Sequence, residues 1–399
     1  MRGFGPILAH PGAVPMTLAA FIGRFPMAML GLAVTLLVVA ETGSYAAAGA
    51  VAAALTLSGA VGGPVGARLA DRHGQHRVIP PLICAHVMAV AALTLSVLAG
   101  APIWLWLLLG GLAGLTGPNL GAMVRARWAG VVEGPRELTS AFALESTLDE
   151  VAFVLGPPLA TALAVAVAPA SAVVASMVLA GSGGLALAAQ RGTAPVPTRG
   201  TRHGGSSVWR GTAFVLLAGV MLLMGAVFGA LEVGTVAFAA ERDVAVATGW
   251  LLGVFALGSG LTGLYLGANP GSWRLSRQIL AGTGALAVAA SILPVVDSPP
   301  VYGAVMFASG LGVSAVLIGV LATIERSVPR ERLTEALAMA ISGILVGSAA
   351  AVAAAGALID RGGSGWGLAV GSAAAIGGLT ATLVGGRALA AAEAPAAAG

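Results

Sequence analysis

Arg24 and four carboxylates stand in stretches of this sequence where charge is expensive. Arg24 lies inside an apolar run, with Pro26 two residues on. Glu145, Asp149 and Glu150 share a second run, and Glu232 stands alone in a third. On a helix, Glu145 and Asp149 fall four residues apart on one face, with Ser146 and Glu150 on the neighbouring row. An ionisable group inside a bilayer costs about 2.5–3.5 kcal/mol on insertion scales, so each is a functional candidate. Burial favours a neutral carboxyl and a nearby arginine favours the carboxylate, so such a group can bind and release protons. Covalent chemistry lacks its parts. The five histidines are dispersed at 10, 73, 76, 86 and 203, without metal-ligand clustering. Cys84 is the one cysteine, which excludes an intrachain disulfide. No G-x-x-x-x-G-K-[ST] loop is present, so ATP is not the direct energy source. No catalytic residue, cofactor or metal is expected.

The elements that must position these charges are membrane helices. Of 399 residues, 58% are hydrophobic and 9% charged, and mean hydropathy is +0.95. A soluble surface cannot be built from so little charge. A bilayer core about 30 Å thick takes about 20 apolar residues per helix. Twelve spans are predicted, near 16–40, 46–66, 78–99, 102–124, 138–166, 170–190, 211–238, 244–267, 278–296, 299–321, 335–358 and 366–387. The fold class is therefore all-α integral membrane. Residues 191–210 form a polar linker between an N-terminal six-helix half, 1–190, and a C-terminal half, 211–399.

Arginine placement supports this map. All 20 basic residues are arginine. With the N-terminus in the cytoplasm, seventeen fall on cytoplasmic segments, Arg242 and Arg361 on outer ones, and Arg24 within a span. That bias puts both termini in the cytoplasm. The scattered charges give no nucleic-acid surface despite a pI near 10.2. The lysine-free, alanine- and glycine-rich composition suits a G+C-rich bacterial genome. The halves also resemble each other. An offset of 200 puts Ala47-Ala48-Gly49 on Ala247-Thr248-Gly249 and Gly63 on Gly263. An offset of 195 puts Leu138-Thr139 on Leu333-Thr334. Two pseudo-symmetric six-helix halves follow, a parallel-repeat transporter design.

Between the second and third predicted spans lies GARLADRHGQHR, residues 66–77. Its Leu69, Ala70, Asp71, Arg72 and Gly74 resemble the signature loop of the major facilitator superfamily; Ala67 takes the first glycine position with Gly66 beside it, and Arg77 is the one fixed charge left where a basic pair is usual. Gln75-His76 stands where a basic residue is usual, and the offset copy, Gly267–Ser272, has no acid. The resemblance implies that Asp71 and Arg72 belong to a cytoplasmic charge cluster stabilising one gate state. The alternative is that the arginines only set topology. FVLGPPLAT, residues 153–161, is similar at Gly156 and Pro157 to a glycine–proline element of family exporters; an ordinary proline-bent helix is the alternative. The arginine usual within span four is absent before Arg125.

These readings converge on a secondary transporter of the cytoplasmic membrane. It would be a monomer moving a small molecule by alternating access, with protons and the lipid bilayer as its other partners. Arg24, Glu145, Asp149, Glu150 and Glu232 are the proton-coupling candidates, with Arg24 expected to pair with an acid of span five. A later start of span five would instead leave Glu145 at the water interface. Asn119, after Pro118, could touch substrate or serve helix packing. Seven tryptophans and few buried polar residues lean towards a hydrophobic or drug-like compound, and the three acids beside Arg24, with the resemblance at Gly156 and Pro157, towards its proton-driven export. Uptake symport or uniport remains the alternative. A membrane enzyme lacks a catalytic cluster, and a scaffold would be expected to carry a soluble domain.

Overall fold

A computed structural model describes residues 4–196, 212–269, 273–328, 333–386 and 389. Most of the expected linker, 191–210, lies outside them, as does part of the offset copy of the loop motif. Every regular element among the described residues is helical. The first compact unit, Met1–Gly43 with Ala54–His203, holds α1 (Gly5–Leu8), α2 (Ala13–Arg24), α3 (Leu30–Thr42) and most of α4 (Tyr45–His73). It continues with α5 (Gln75–Leu98), α6 (Ile103–Thr116), α7 (Leu120–Val131), α8 (Gly134–Ala166) and α9 (Ser171–Ala189). The second unit, Ser44–Ala53 with Gly204–Gly399, holds α10 (Thr212–Glu241), α11 (Ala247–Ala268) and α12 (Leu275–Ile292). It closes with α13 (Pro299–Ser327), α14 (Leu333–Gly362) and α15 (Ser364–Val384). These helices make twelve segments long and apolar enough to cross a membrane.

Two spans expected as single helices are broken. Span one is α2, a 3₁₀ turn over Phe25–Ala28, then α3, because Pro26 has no N–H to donate. Span four is α6 and α7, interrupted at Gly117-Pro118-Asn119. Pro118 disfavours helical geometry in the residue before it, and Gly117 is extended at ψ 113°. Two boundaries also move. The second span was expected to end at 66, but α4 runs to His73, so the loop motif is mostly helix. Gly74, at φ 90°, turns the chain directly into α5. Span four was expected to end at 124, and α7 continues to Val131.

Small residues let backbones meet where lipid supplies no hydrophobic drive. In the first unit, Gly23 of α2 lies against Gly183 and Gly184 of α9. Its core includes Ile79, Ile83, Trp128, Leu144 and Leu187. In the second unit, Gly225 and Gly229 of α10 meet the Ile344 and Ser348 carbonyls of α14. Phe238 stacks on Tyr302 at 3.9 Å, and the tyrosine hydroxyl meets Thr235 Oγ1 at 2.9 Å.

The start of α4 packs with α14 inside the second unit. Asp360 accepts from the Tyr45 and Ala46 amides at 2.8 and 3.0 Å and from Ser44 Oγ at 2.8 Å. One carboxylate thus caps a helix from another element, where its charge also suits the helix dipole. Asp360→Ala is expected to cost about 1 kcal/mol, the worth of a cap. A thermal melt of purified protein checks it, and an unchanged midpoint rules the cap out as a stabiliser.

Candidate ion-pair site in the first unit

Three helices of the first unit bring charge together. α2 ends at Arg24 because the proline-containing turn begins there, and Gly23 lets the helix settle against α9. α8 presents Glu145 and Asp149 on one face. α7 presents Arg125 and Trp128, three apart, on one of its own.

The geometry is graded from sealed to open. Arg24 Nη2 lies 2.6 Å from Glu145 Oε2, with side chains 2% and 0% exposed. Trp128 Nε1 donates to the other oxygen, Glu145 Oε1, at 2.6 Å. Arg24 Nε lies 3.3 Å from Asp149 Oδ1, and Arg125 Nη2 donates to Asp149 Oδ2 at 2.7 Å. Asp149 is 21% and Arg125 34% exposed. Glu145 is thus enclosed with a partner at each oxygen, while Asp149 is shared between a buried and a partly exposed guanidinium. Removing one partner of a buried pair strands the other charge.

On α7, Arg127 is fully buried and holds the helix in place. Its Nε donates to Gln75 Oε1 at 2.7 Å, and its Nη1 to the Gln190 carbonyl at 2.7 Å and Thr193 Oγ1 at 3.0 Å. Gln75 in turn donates to the Met123 carbonyl at 3.0 Å. The glutamine that departs from the loop motif therefore anchors the helix carrying Arg125 and Trp128.

The remaining candidates are placed as follows. Glu150 is half-buried, and neither it nor Glu232 makes an ion pair or hydrogen bond among the described residues. Asn119 is the N-cap of α7, its Oδ1 accepting from the Ala122 amide at 3.0 Å. Asp71 and Arg72 sit exposed at the end of α4, and Arg77 exposed on the first turn of α5. None of the three makes an ion pair among the described residues. Gly66 packs beside Leu82. Gly156 lies against Ala28 of the 3₁₀ turn, and α8 continues as helix through Pro157. Arg125, Arg127 and Trp128 were not among the sequence candidates. The i, i+3 pairing of Arg125 with Trp128 was the signal available.

Twelve helical spans among the described residues, with an ion-pair network inside the first unit, define an integral membrane protein of the all-helical kind. The chain belongs to the Major Facilitator Superfamily, whose family model matches residues 16–268. It is a transporter, not an enzyme. No curated protein matches the sequence. Solved structures share the fold. The nucleoside transporter NupG is 11% identical at TM-score 0.70, covering 94% of this chain and 98% of its own. A bacterial homologue of the iron transporter ferroportin, in an inward-facing state, is 16% identical at TM-score 0.68, with coverage of 94% and 98%. The POT family transporter PepTSo is 11% identical at TM-score 0.69, with coverage of 95% and 97%.

Proposed function

We propose that this chain is a proton-coupled secondary transporter of a bacterial cytoplasmic membrane. It works as a monomer with both termini in the cytoplasm, its two six-helix halves joined by the 191–210 linker. The observation that carries the coupling is Asp149, one partly exposed carboxylate shared between Arg24 and Arg125. Adding a proton there removes a charge shared by two guanidinium groups and leaves Glu145 alone to balance them. Glu145, sealed between Arg24 and Trp128, positions the arginine. Glu150 and Glu232, without ion-pair partners, are further proton sites within the proposal. Asp71, Arg72 and Arg77 act at the cytoplasmic gate.

The direction proposed first is export of a hydrophobic or drug-like compound against inward proton flow. The Gly156–Pro157 element supports it by resemblance. Uptake symport is the second reading. It is favoured by the position of Asp149, because protonation there frees cationic groups instead of competing for them.

Inside-out vesicles, screened with labelled candidate compounds, test both. Under an imposed proton gradient, export predicts substrate uptake that a protonophore abolishes and Asp149→Asn weakens. Uptake in right-side-out vesicles alone selects symport. Transport that ignores the protonophore in both orientations ends the proton-coupling proposal.

A further inference from the structure

The break in span four leaves a helix N-terminus inside the first unit, and its amides can be accounted for one by one. Leu120 N–H donates to the Pro118 carbonyl at 3.0 Å, and Met123 N–H to the Asn119 carbonyl at 3.1 Å. Ala122 N–H is taken by Asn119 Oδ1. Gly121 N–H has no acceptor among the described residues.

A second observation points to the same place. Arg24 is 3% exposed, and its Nε and Nη2 face the two acids. None of its three nitrogens makes a hydrogen bond, and Nη1 makes no ion pair among the described residues either. A β-carbon on Gly121 would lie 4.0 Å from this Nη1, 3.4 Å from Arg125 Nη1 and 3.6 Å from Asn119 Oδ1. The side chain that Gly121 lacks leaves room between two guanidinium groups and a free amide, at the positive end of a twelve-residue helix.

We propose that this spot binds the acidic group of the transported molecule, a carboxylate or a phosphate carried on an apolar body. This rests on the transporter reading and adds the substrate class. Broken membrane helices that aim an N-terminus at an anionic group are an established transporter device, and here two arginine nitrogens complete the donor set. Asp149 and Glu145 balance the two arginines in charge. The added anion is therefore held by unused donors rather than by a large net positive charge. Glu150, next to Asp149 on α8, adds a negative charge that opposes it, which suits a carrier that must release its load.

Binding can be measured without transport. Purified protein in neutral phosphatidylcholine nanodiscs would be titrated calorimetrically with benzoate, its neutral counterpart benzamide, and inorganic phosphate. A matched set of nanodiscs containing phosphatidylglycerol supplies an anionic headgroup instead. Gly121→Ala is the decisive variant, because its methyl makes only ordinary contacts of 3.4 Å or more and suits a helix. The expected result is binding of benzoate or phosphate but not benzamide, weakened about tenfold or more in Gly121→Ala. Arg125→Gln should weaken it similarly, and a melt shows that both variants are folded. Equal affinity in wild type and Gly121→Ala would overturn the proposal, as would no binding of either anion. Competition by phosphatidylglycerol that leaves no free-anion binding would overturn the substrate assignment in favour of a lipid headgroup. Binding that follows the prediction in a chain transporting no anionic compound would overturn the substrate assignment and leave the anion site and the transporter standing.

Discussion

Arg24→Ala should unfold this protein more readily than other single changes at the charge cluster. The substitution leaves Glu145, 0% exposed, with only the Trp128 N–H. Stranding a buried charge in this way costs about 3–5 kcal/mol. Arg24→Lys should recover little, because one ammonium cannot supply the separate Nε and Nη2 contacts to Asp149 and Glu145. The compensated double variant Arg24→Met with Glu145→Leu should regain most of the stability, since apolar groups of similar size often replace a buried pair at no loss. It should not regain transport. Thermal unfolding in detergent reads the first effect and vesicle flux the second. A double variant that is both stable and fully active would make the pair packing material and nothing more.

Gly183→Val should be as damaging without touching a charge. A β-carbon there would run into the backbone nitrogen and Cα of Gly23 and come within 2.7 Å of the Ala19 carbonyl. Those atoms are backbone, so no side chain can rotate away, and α2 must separate from α9. Overpacking typically costs about 1–3 kcal/mol, and this contact belongs at or above the top of that range. Gly23 precedes Arg24, so the shift also carries the arginine away from Glu145. Gly111→Ala is the control: nothing lies within 4 Å of its β-carbon. The melting temperature should fall sharply for Gly183→Val and hold or rise for Gly111→Ala. A similar small change in both would mean that α2 and α9 tolerate wider spacing.

Hydropathy made the twelve spans readable, because a bilayer demands long apolar helices whatever the detail. The partnership of Arg24 with acids of α8 was readable for a related reason: an arginine in an apolar run needs a countercharge, and few exist. Arg125 was not, because the apolar signal fades at residue 124 while the backbone hydrogen bonds of α7 continue to Val131. Counting arginines for topology absorbed Arg125 and Arg127 as loop charges, although one reaches Asp149 and the other locks α7 to Gln75. The same fading hid the last turns of α4, so Asp71 and Arg72 were read as loop residues. Pro26 and Pro118 were visible, but a proline does not announce whether a helix bends or breaks. At Gly117-Pro118-Asn119 the capping asparagine decided for a break. That choice also ties up the Asn119 oxygen, which the sequence could offer only as a possible substrate contact.

The Arg24–Glu145 pair sets an order on biosynthesis. The two residues are separated by 121 positions, which at about 5–20 residues per second is a delay on the order of ten seconds. During that interval the first span is made while its countercharge is not. A nascent α2 must keep its guanidinium in water, among headgroups or against the insertion machinery until α8 is delivered. The final seating of the first span is therefore a late event, dictated by a helix four spans further along the chain.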